Sequence, residues 1–160
     1  MEKTKDTEFN PAEFVFVTMF TYRKRKVFVS GAVNGILCSA MKFHIEEGSA
    51  VLAGYAILPD HVHILLRPGG MAVHQFVNNF KSYTGIKVKE EGGFTGKVWR
   101  QRFYDVPIED GNEFAGRLAL MHDNPVKRKY VKRAEDYPWT SYGAYHGGGA
   151  DVPVYVPPGY

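Results

Sequence analysis

The sequence predicts an α+β fold of the ferredoxin-like, split βαβ type, in which helices pack on one face of an antiparallel four-stranded sheet. Segments rich in β-branched and aromatic residues alternate with segments of helical periodicity, in the order β-α-β-β-α-β-α. The second and third strands are separated only by Pro59-Asp60, a turn signal that indicates a hairpin. The length of 160 residues, without internal repeats, is that of one domain.

The first half of the chain predicts three strands and one helix. A strand is expected over 14–21, where most residues are β-branched or aromatic. A helix is expected over 31–47, because apolar residues recur near helical spacing behind Ser30, a candidate N-cap. Two apolar runs, 51–58 and 61–67, predict the strands of the hairpin.

The second half predicts two helices and one strand. Residues 72–90 carry apolar residues near a period of 3.6, which predicts a helix. Residues 99–108 alternate enough to form the fourth strand, and Pro107 indicates an edge or a strand end. Residues 111–123 predict a short helix, and the Asn124-Pro125 pair is expected at its end.

Three segments are expected along the chain. Residues 1–12 are polar and predict a flexible N-terminal lead-in. Residues 13–145 hold all the predicted helices and strands and form the functional domain. Residues 146–160 are rich in glycine and proline and predict a tail.

Composition excludes several classes of protein. With 44% hydrophobic and 23% charged residues, the chain is not expected to be disordered. Its longest apolar run is far short of a membrane span, and the charged N-terminus lacks the pattern of a secretory signal. Cys38 is the only cysteine, so an internal disulfide is impossible and a zinc framework is not indicated. A cytoplasmic location fits these features.

Basic residues cluster more than the net charge of +3 suggests. The clusters are interleaved with aromatic residues, a combination that can hold phosphates and stack bases. A solvated surface remains the alternative for any one cluster. The cations expected to contact phosphates are Arg23, Lys24, Arg25, Lys26, Arg100, Arg102, Lys127 and Arg128.

His61 and His63 are the first candidates for a metal site. They lie two residues apart in a predicted strand, so both side chains point to the same face of the sheet. Neutral imidazole is a common ligand of divalent ions. Two half-exposed histidines without a ligand remain the alternative. Asp60 is either a turn former or an acceptor that orients the neighbouring imidazole.

The stretch from Tyr55 to Pro68 resembles the His-hydrophobe-His (HUH) signature of single-tyrosine transposases. The chain resembles the insertion-sequence-200-like family and, within it, the REP-associated tyrosine transposases. Four further blocks resemble the family in its own order: residues 80–84, 98–105, 121–128 and 137–142. One His-x-His pair is a weak signal, whereas five ordered blocks over about residues 14–145 are a strong one.

The resemblance implies a nuclease and strand transferase that acts on single-stranded or hairpin DNA. In that family the HUH pair and a third ligand hold Mg²⁺ or Mn²⁺, which offsets charge on the scissile phosphate. A tyrosine hydroxyl then attacks and gives a 5′-phosphotyrosine and a free 3′-OH. The ligands carried over are His61, His63 and Asn124.

Leu120 occupies the position at which the family carries its nucleophilic tyrosine, four residues before Asn124. Leucine has no nucleophile, so three explanations stay open. The protein binds DNA without cleaving it, as a catalytically inactive, domesticated DNA-binding protein would. A substitute such as Tyr83 or Tyr104 serves instead. Otherwise the metal activates water. Activity as a transposase is therefore an implication of the resemblance alone.

Partners follow from the same resemblance. Single-stranded or hairpin DNA is expected as the ligand, no membrane is expected, and the bacterial cytosol with its nucleoid is the expected location. The additional element at Trp139–Tyr142 favours a monomer over a homodimer. A third interpretation is an unrelated ferredoxin-like enzyme in which the two histidines serve acid–base catalysis.

Overall fold

The computed structural model describes residues 8–160, and the predicted α+β, ferredoxin-like fold is confirmed. The main elements are β1 (Val15–Thr21), α1 (Gly31–Glu46), β2 (Ala50–Leu58), β3 (His61–Pro68), α2 (Val73–Gly92), β4 (Trp99–Pro107), α3 (Gly111–Lys127) and the short α4 (Tyr142–Tyr145). Across residues 8–160, no helix has both the length and the apolar character needed to cross a membrane.

The four strands form one antiparallel sheet in the order β2-β3-β1-β4. The β2–β3 hairpin turns at Pro59-Asp60, as the sequence predicts. The pairing register places Thr18 of β1 opposite His63 of β3 on one side and opposite Tyr104 of β4 on the other. Directly paired residues of neighbouring strands share a face, so these three side chains lie in one row across the sheet.

The sheet is covered on both faces. Helices α1 and α2 pack on one face, over Val62, Ile64 and other apolar residues of the strands. Helix α3 packs on the opposite face, where Phe114 and Leu118 contact Leu65 and its neighbours. The expectation that helices cover one face is therefore correct for the two long helices and wrong for α3. The physical reason is that β2 and β3 are buried on both sides, which requires a second layer.

Helix α3 is longer than the sequence predicts. It begins at the N-cap Asp110 and continues to Lys127, through Pro125 and beyond the expected end at residue 123. Proline removes one helical hydrogen bond, but Pro125 is buried against the domain, and Lys129 and Tyr130 donate backbone hydrogen bonds back to the helix end. Asn124 consequently lies inside the helix and not at its end.

The C-terminal residues cover the outer edge of β2. The backbone N–H groups of Ile57 and Tyr155 pair with the carbonyls of Trp139 and Leu52, at 2.8 Å each. Val152 is completely buried in the core. Much of the segment 146–160, expected to be a tail, therefore contacts the folded domain. In the expected lead-in, Phe9 packs against the apolar cluster between α3 and the sheet, which includes Phe114 and Leu65. Residues 1–7 lie outside the described residues.

We expect Val152→Ala to lower the free energy of unfolding by about 2 kcal/mol, because two buried methyl groups are lost. Val29→Ala is the matched control, since Val29 is 63% exposed and its truncation is expected to cost less than about 0.5 kcal/mol. Urea denaturation followed by circular dichroism measures both. Equal stabilities of the two variants would contradict the packing of this segment.

Candidate functional site

His61, His63 and Asn124 converge between β3 and α3. Both histidines are buried and point towards α3. The side-chain amide of Asn124 lies 3.5 Å from Nε2 of His61 and 3.4 Å from Nε2 of His63. The structure thus brings together the three residues that the sequence predicts as metal ligands, although they come from two elements separated by about 60 positions.

The Nδ1 atom of each imidazole lies at hydrogen-bonding distance from a side-chain oxygen. Nδ1 of His61 lies 2.7 Å from Oδ1 of Asp60, and Nδ1 of His63 lies 2.9 Å from Oγ1 of Thr18. Phe20 stacks on the His61 ring and Phe16 on the His63 ring. When Nδ1–H donates to these oxygens, the Nε2 lone pairs are left free and face Asn124.

Burial favours the neutral form of the two imidazoles. Desolvation lowers the pKa of His63 to about 3, and the nearby His61 and Arg117 contribute to that shift. Desolvation also lowers the pKa of His61, although the hydrogen bond and the negative charge of Asp60 oppose that shift. Neutral imidazole is the form that can donate a lone pair to a metal ion.

Asp60 joins the hairpin turn to the end of α3. Its second oxygen, Oδ2, lies 3.3 Å from Nη2 of Arg128, and the carboxylate is nearly buried. Of the two roles considered for Asp60, the geometry supports the acceptor that orients His61. The neighbouring Arg128, expected to contact phosphate, is paired with this carboxylate.

The donor set suits a divalent ion. Two imidazole nitrogens and one carboxamide oxygen form a mixed N,O set that first-row divalent ions accept. The Asn124 carboxamide, whose nitrogen lies 3.4 Å from Nε2 of His63, is near enough to share an ion held at roughly 2.0–2.2 Å by the imidazoles, once the amide presents its oxygen. No cluster of three His, Cys, Asp or Glu residues that could hold a metal occurs within residues 8–160, so the set depends on the asparagine.

Leu120 lies one helical turn before Asn124, on the same face of α3, and is 40% exposed. It lines a cavity of about 480 Å³ beside His63, which Tyr104 also lines. Tyr83 lies on α2, which packs against the opposite face of the sheet. Of the two tyrosines considered as substitute nucleophiles, Tyr104 therefore lies near His63, whereas Tyr83 lies on the other side of the sheet.

The expected DNA-contacting cations are divided between several places. Lys24 and Arg100 line the cavity beside His63, together with Arg117, which the sequence analysis missed. Arg117 precedes Asn124 by seven residues, so helical periodicity could have placed it on the same face. Arg25 instead donates to the carbonyl of Thr95. The remaining cations are exposed and do not line this cavity: Arg23, Lys26, Arg102 and Lys127.

The sequence profile of the family described as "Transposase IS200 like" matches residues 12–113, which is more than half of the chain. The chain belongs to this family. The matched stretch of this chain contains β1–β4 and both histidines. Leu120 and Asn124 lie beyond it.

Individual relatives of this chain support the REP-associated branch. A Haemophilus influenzae (strain Rd) protein, provisionally named a REP-associated tyrosine transposase, is 25% identical, with 84% of this chain and 82% of that protein covered. The REP-associated tyrosine transposase of Escherichia coli K12 is 23% identical over 55% of this chain and 52% of that protein.

Solved structures share the fold. A REP-associated tyrosine transposase bound to a REP hairpin superposes with a TM-score of 0.69 at 16% identity, covering 96% of this chain and 92% of that chain. A protein of Deinococcus radiodurans R1, provisionally assigned as a transposase, gives a TM-score of 0.52 at 15% identity, covering 67% of this chain and 87% of that one. The resemblance seen in the five sequence blocks is confirmed at the level of the family and its fold.

Proposed function

We propose that this IS200-like transposase binds single-stranded or hairpin DNA on the sheet face that carries His61, His63 and Asn124, and that these residues hold Mg²⁺ or Mn²⁺. The observation that carries the proposal is the convergence of two free Nε2 atoms and one carboxamide within 3.5 Å. Family membership supports the metal, and the solved relative bound to a REP hairpin supports the DNA.

The charge around the site favours a phosphate ligand. Lys24, Arg100 and Arg117 line the cavity next to His63, on the same face of the sheet. Clustered cations of this kind neutralise phosphates and release counterions, which is the main source of sequence-independent affinity for DNA. The proposed phosphate contacts therefore lie next to the proposed metal ligands on one surface.

The residues around the site would have different roles in binding a phosphate. A bound divalent ion offsets negative charge on a phosphodiester oxygen. Asp60 and Thr18 orient the imidazoles, and Phe16 and Phe20 hold them by stacking. These groups position a phosphate but supply no nucleophile. Leu120 carries no hydroxyl, so we propose that the protein binds DNA and does not form a phosphotyrosine at position 120.

Strand cleavage and transfer by this chain would require another nucleophile. Tyr104 is the candidate that lies in the same cavity as His63 and Leu120. A covalent link to Tyr104 would preserve the family reaction, DNA transposition through a phosphotyrosine. The alternative is a catalytically inactive, domesticated DNA-binding protein, and Leu120 favours it.

We propose that the protein acts as a monomer. Trp139, Ser141 and Tyr155 pair with the backbone of β2 and cover that edge of the sheet. On the other edge, the Lys81 ammonium donates to the carbonyls of Arg100 and Gln101 in β4. Strand-to-strand pairing with a second copy is therefore disfavoured at both edges. A DNA ligand would place the monomer in the bacterial cytosol, with the nucleoid.

The binding proposal is tested with a fluorescent hairpin that has a single-stranded extension, by anisotropy with Mg²⁺ present at several salt concentrations. We expect Arg100→Gln to weaken binding about threefold to tenfold and to lower the slope of log K against log salt by about one, because one phosphate contact is lost. Lys87→Gln is the matched control and is expected to change neither, since Lys87 is exposed on α2, on the opposite side of the sheet.

Two results would contradict this proposal. Absence of measurable affinity for any single-stranded or hairpin oligonucleotide at low salt would overturn the DNA ligand. Equal losses in the two variants would move the binding surface away from the histidine face. Sedimentation of the complex tests the monomer, for which one protein per hairpin is expected.

A further inference from the structure

The cavity beside His63 is larger than a metal ion needs. Its walls come from β1, β4 and α3, and its volume of about 480 Å³ lies within the range of about 300–1,000 Å³ usual for small-ligand sites. The row Tyr104–Thr18–His63 across three strands forms its floor, and Leu120 of α3 adds an apolar side chain. The cavity therefore reaches His63, one of the three candidate metal ligands.

Three cations line this cavity and no carboxylate does. Lys24 and Arg100 both lie over the Phe20 ring, at 5.6 and 5.2 Å from its centroid. Arg117 lies 4.9 Å from the centroid of Phe16 and also 3.9 Å from the Glu113 carboxylate. Among residues 8–160, Lys24 and Arg100 have no acidic side chain within 4.0 Å. The aromatic rings lie against these cations and leave their charges available to an anion.

Lys24 reaches the cavity from a strained turn. Arg23 and Lys24 have φ of 56° and 54°, in the left-handed region that non-glycine residues rarely adopt. Tyr22 donates a 2.8 Å backbone hydrogen bond to Val98, which ties the turn to the start of β4. Strain of this kind persists only where surrounding structure holds it, and it concentrates at ligand-binding sites.

Tyr104 is the accessible aromatic surface of the cavity. Tyr104 is 46% exposed. Its ring contacts Phe20 edge-on, with 6.0 Å between the ring centroids and 83° between the ring planes. An edge-on neighbour fixes the orientation of the ring while leaving ring surface for another planar group. A nucleobase can stack on such a surface whatever its identity.

We propose that this cavity is a subsite for one unpaired nucleotide of the bound strand, with its base stacked on Tyr104 and its phosphate next to Lys24, Arg100 and Arg117. The inference rests on the proposed function, because only a strand bound across this face delivers a nucleotide to the cavity. It assigns Tyr104 to DNA binding and not to nucleophilic attack.

The test compares Tyr104→Ala, Tyr104→Phe and Tyr83→Ala with the wild type, on a hairpin with a single-stranded extension and on the same hairpin without it. Tyr104→Ala is expected to weaken binding to the extended hairpin about tenfold and to leave the blunt hairpin nearly unchanged. Tyr104→Phe keeps the ring and is expected to bind normally. Tyr83 is 50% exposed on the opposite face, so Tyr83→Ala is the matched control without effect.

An abasic scan locates the nucleotide. One abasic position is moved along the extension, and the position that weakens wild-type binding about tenfold is expected to have no further effect on Tyr104→Ala, because the same stacking contact is already lost. Equal losses in both proteins at every position would overturn the subsite. So would normal binding of the extended hairpin by Tyr104→Ala.

Two further results separate this inference from the proposed function. If the wild type binds neither hairpin, the proposed function fails and the subsite fails with it. If the wild type binds and Arg100→Gln weakens it while Tyr104→Ala does not, only the subsite fails. A wild-type DNA adduct that survives SDS and disappears in Tyr104→Phe would show that Tyr104 is a nucleophile and overturn the stacking role.

Discussion

The double variant His61→Ala, His63→Ala is expected to lose the stabilisation that Mn²⁺ gives to the wild-type protein. An ion at about 100 times its Kd stabilises the native state by about 2.7 kcal/mol. For a chain of this size that corresponds to a rise in Tm of several degrees. Two of the three converging donor atoms are absent from the variant, so we expect no rise in its Tm with Mn²⁺.

The measurement is the difference in Tm with and without Mn²⁺, taken within each variant. The double substitution removes buried side chains and by itself lowers the Tm of the metal-free protein, so absolute Tm values are not compared.

Asp60→Asn is expected to weaken the binding of Mn²⁺ about tenfold or more, because Asp60 orients the His61 ring. His74→Ala, at an exposed position of α2, is the control that keeps the full effect. An undiminished effect in the double variant would place the ion elsewhere.

Local periodicity predicts part of the convergence of His61, His63 and Asn124, which we propose as metal ligands. Alternation along β3 places His61 and His63 on one face, and the i, i+4 spacing in α3 places Leu120 and Asn124 on another. The contact between these two faces depends on the tertiary packing of α3 against the sheet. Only the family resemblance predicts that contact, and the sequence pattern places α3 in the wrong layer of the sheet.

Thr18 and Arg128, which contact His63 and Asp60, could not be predicted in the same way. Thr18 contacts His63 because of the register between β1 and β3, which depends on packing over the whole sheet. Arg128 reaches Asp60 only because α3 continues through Pro125. Proline ends most helices, so the sequence predicts that α3 stops before Pro125. Burial of Pro125 and the backbone hydrogen bonds that follow it stabilise the helix beyond that point.

The choice between Tyr83 and Tyr104 shows the same limit. Both are exposed tyrosines in blocks that resemble the family, and neither spacing nor composition separates them. The difference lies in the layer: α2 packs on one face of the sheet, whereas the Tyr104 side chain lies on the face of α3. Only the order and register of the strands place Tyr104 beside His63.

The substitution Leu120→Tyr is expected to create cleavage. Leu120 is 40% exposed, lines the cavity beside His63 and precedes Asn124 by one turn, so a tyrosine there fits with little loss of stability and directs its hydroxyl towards the bound phosphate. With Mn²⁺ and a hairpin carrying a single-stranded extension, we expect a DNA adduct that survives SDS. The wild type is expected to give none.

The chemistry of that gain is specific. The hydroxyl oxygen of the introduced tyrosine would form a bond to phosphorus while the bond from phosphorus to the 3′-oxygen breaks. The phenolic proton would pass through solvent to the departing 3′-oxygen, which becomes the free 3′-hydroxyl. Leu120→Phe supplies the ring without the oxygen and is expected to give no adduct. Leu120→Tyr in the background lacking His61 and His63 is also expected to give none, because the phosphate is no longer held beside the hydroxyl. Normal DNA binding by Leu120→Tyr without any adduct would show that position 120 is not where a nucleophile acts in this chain.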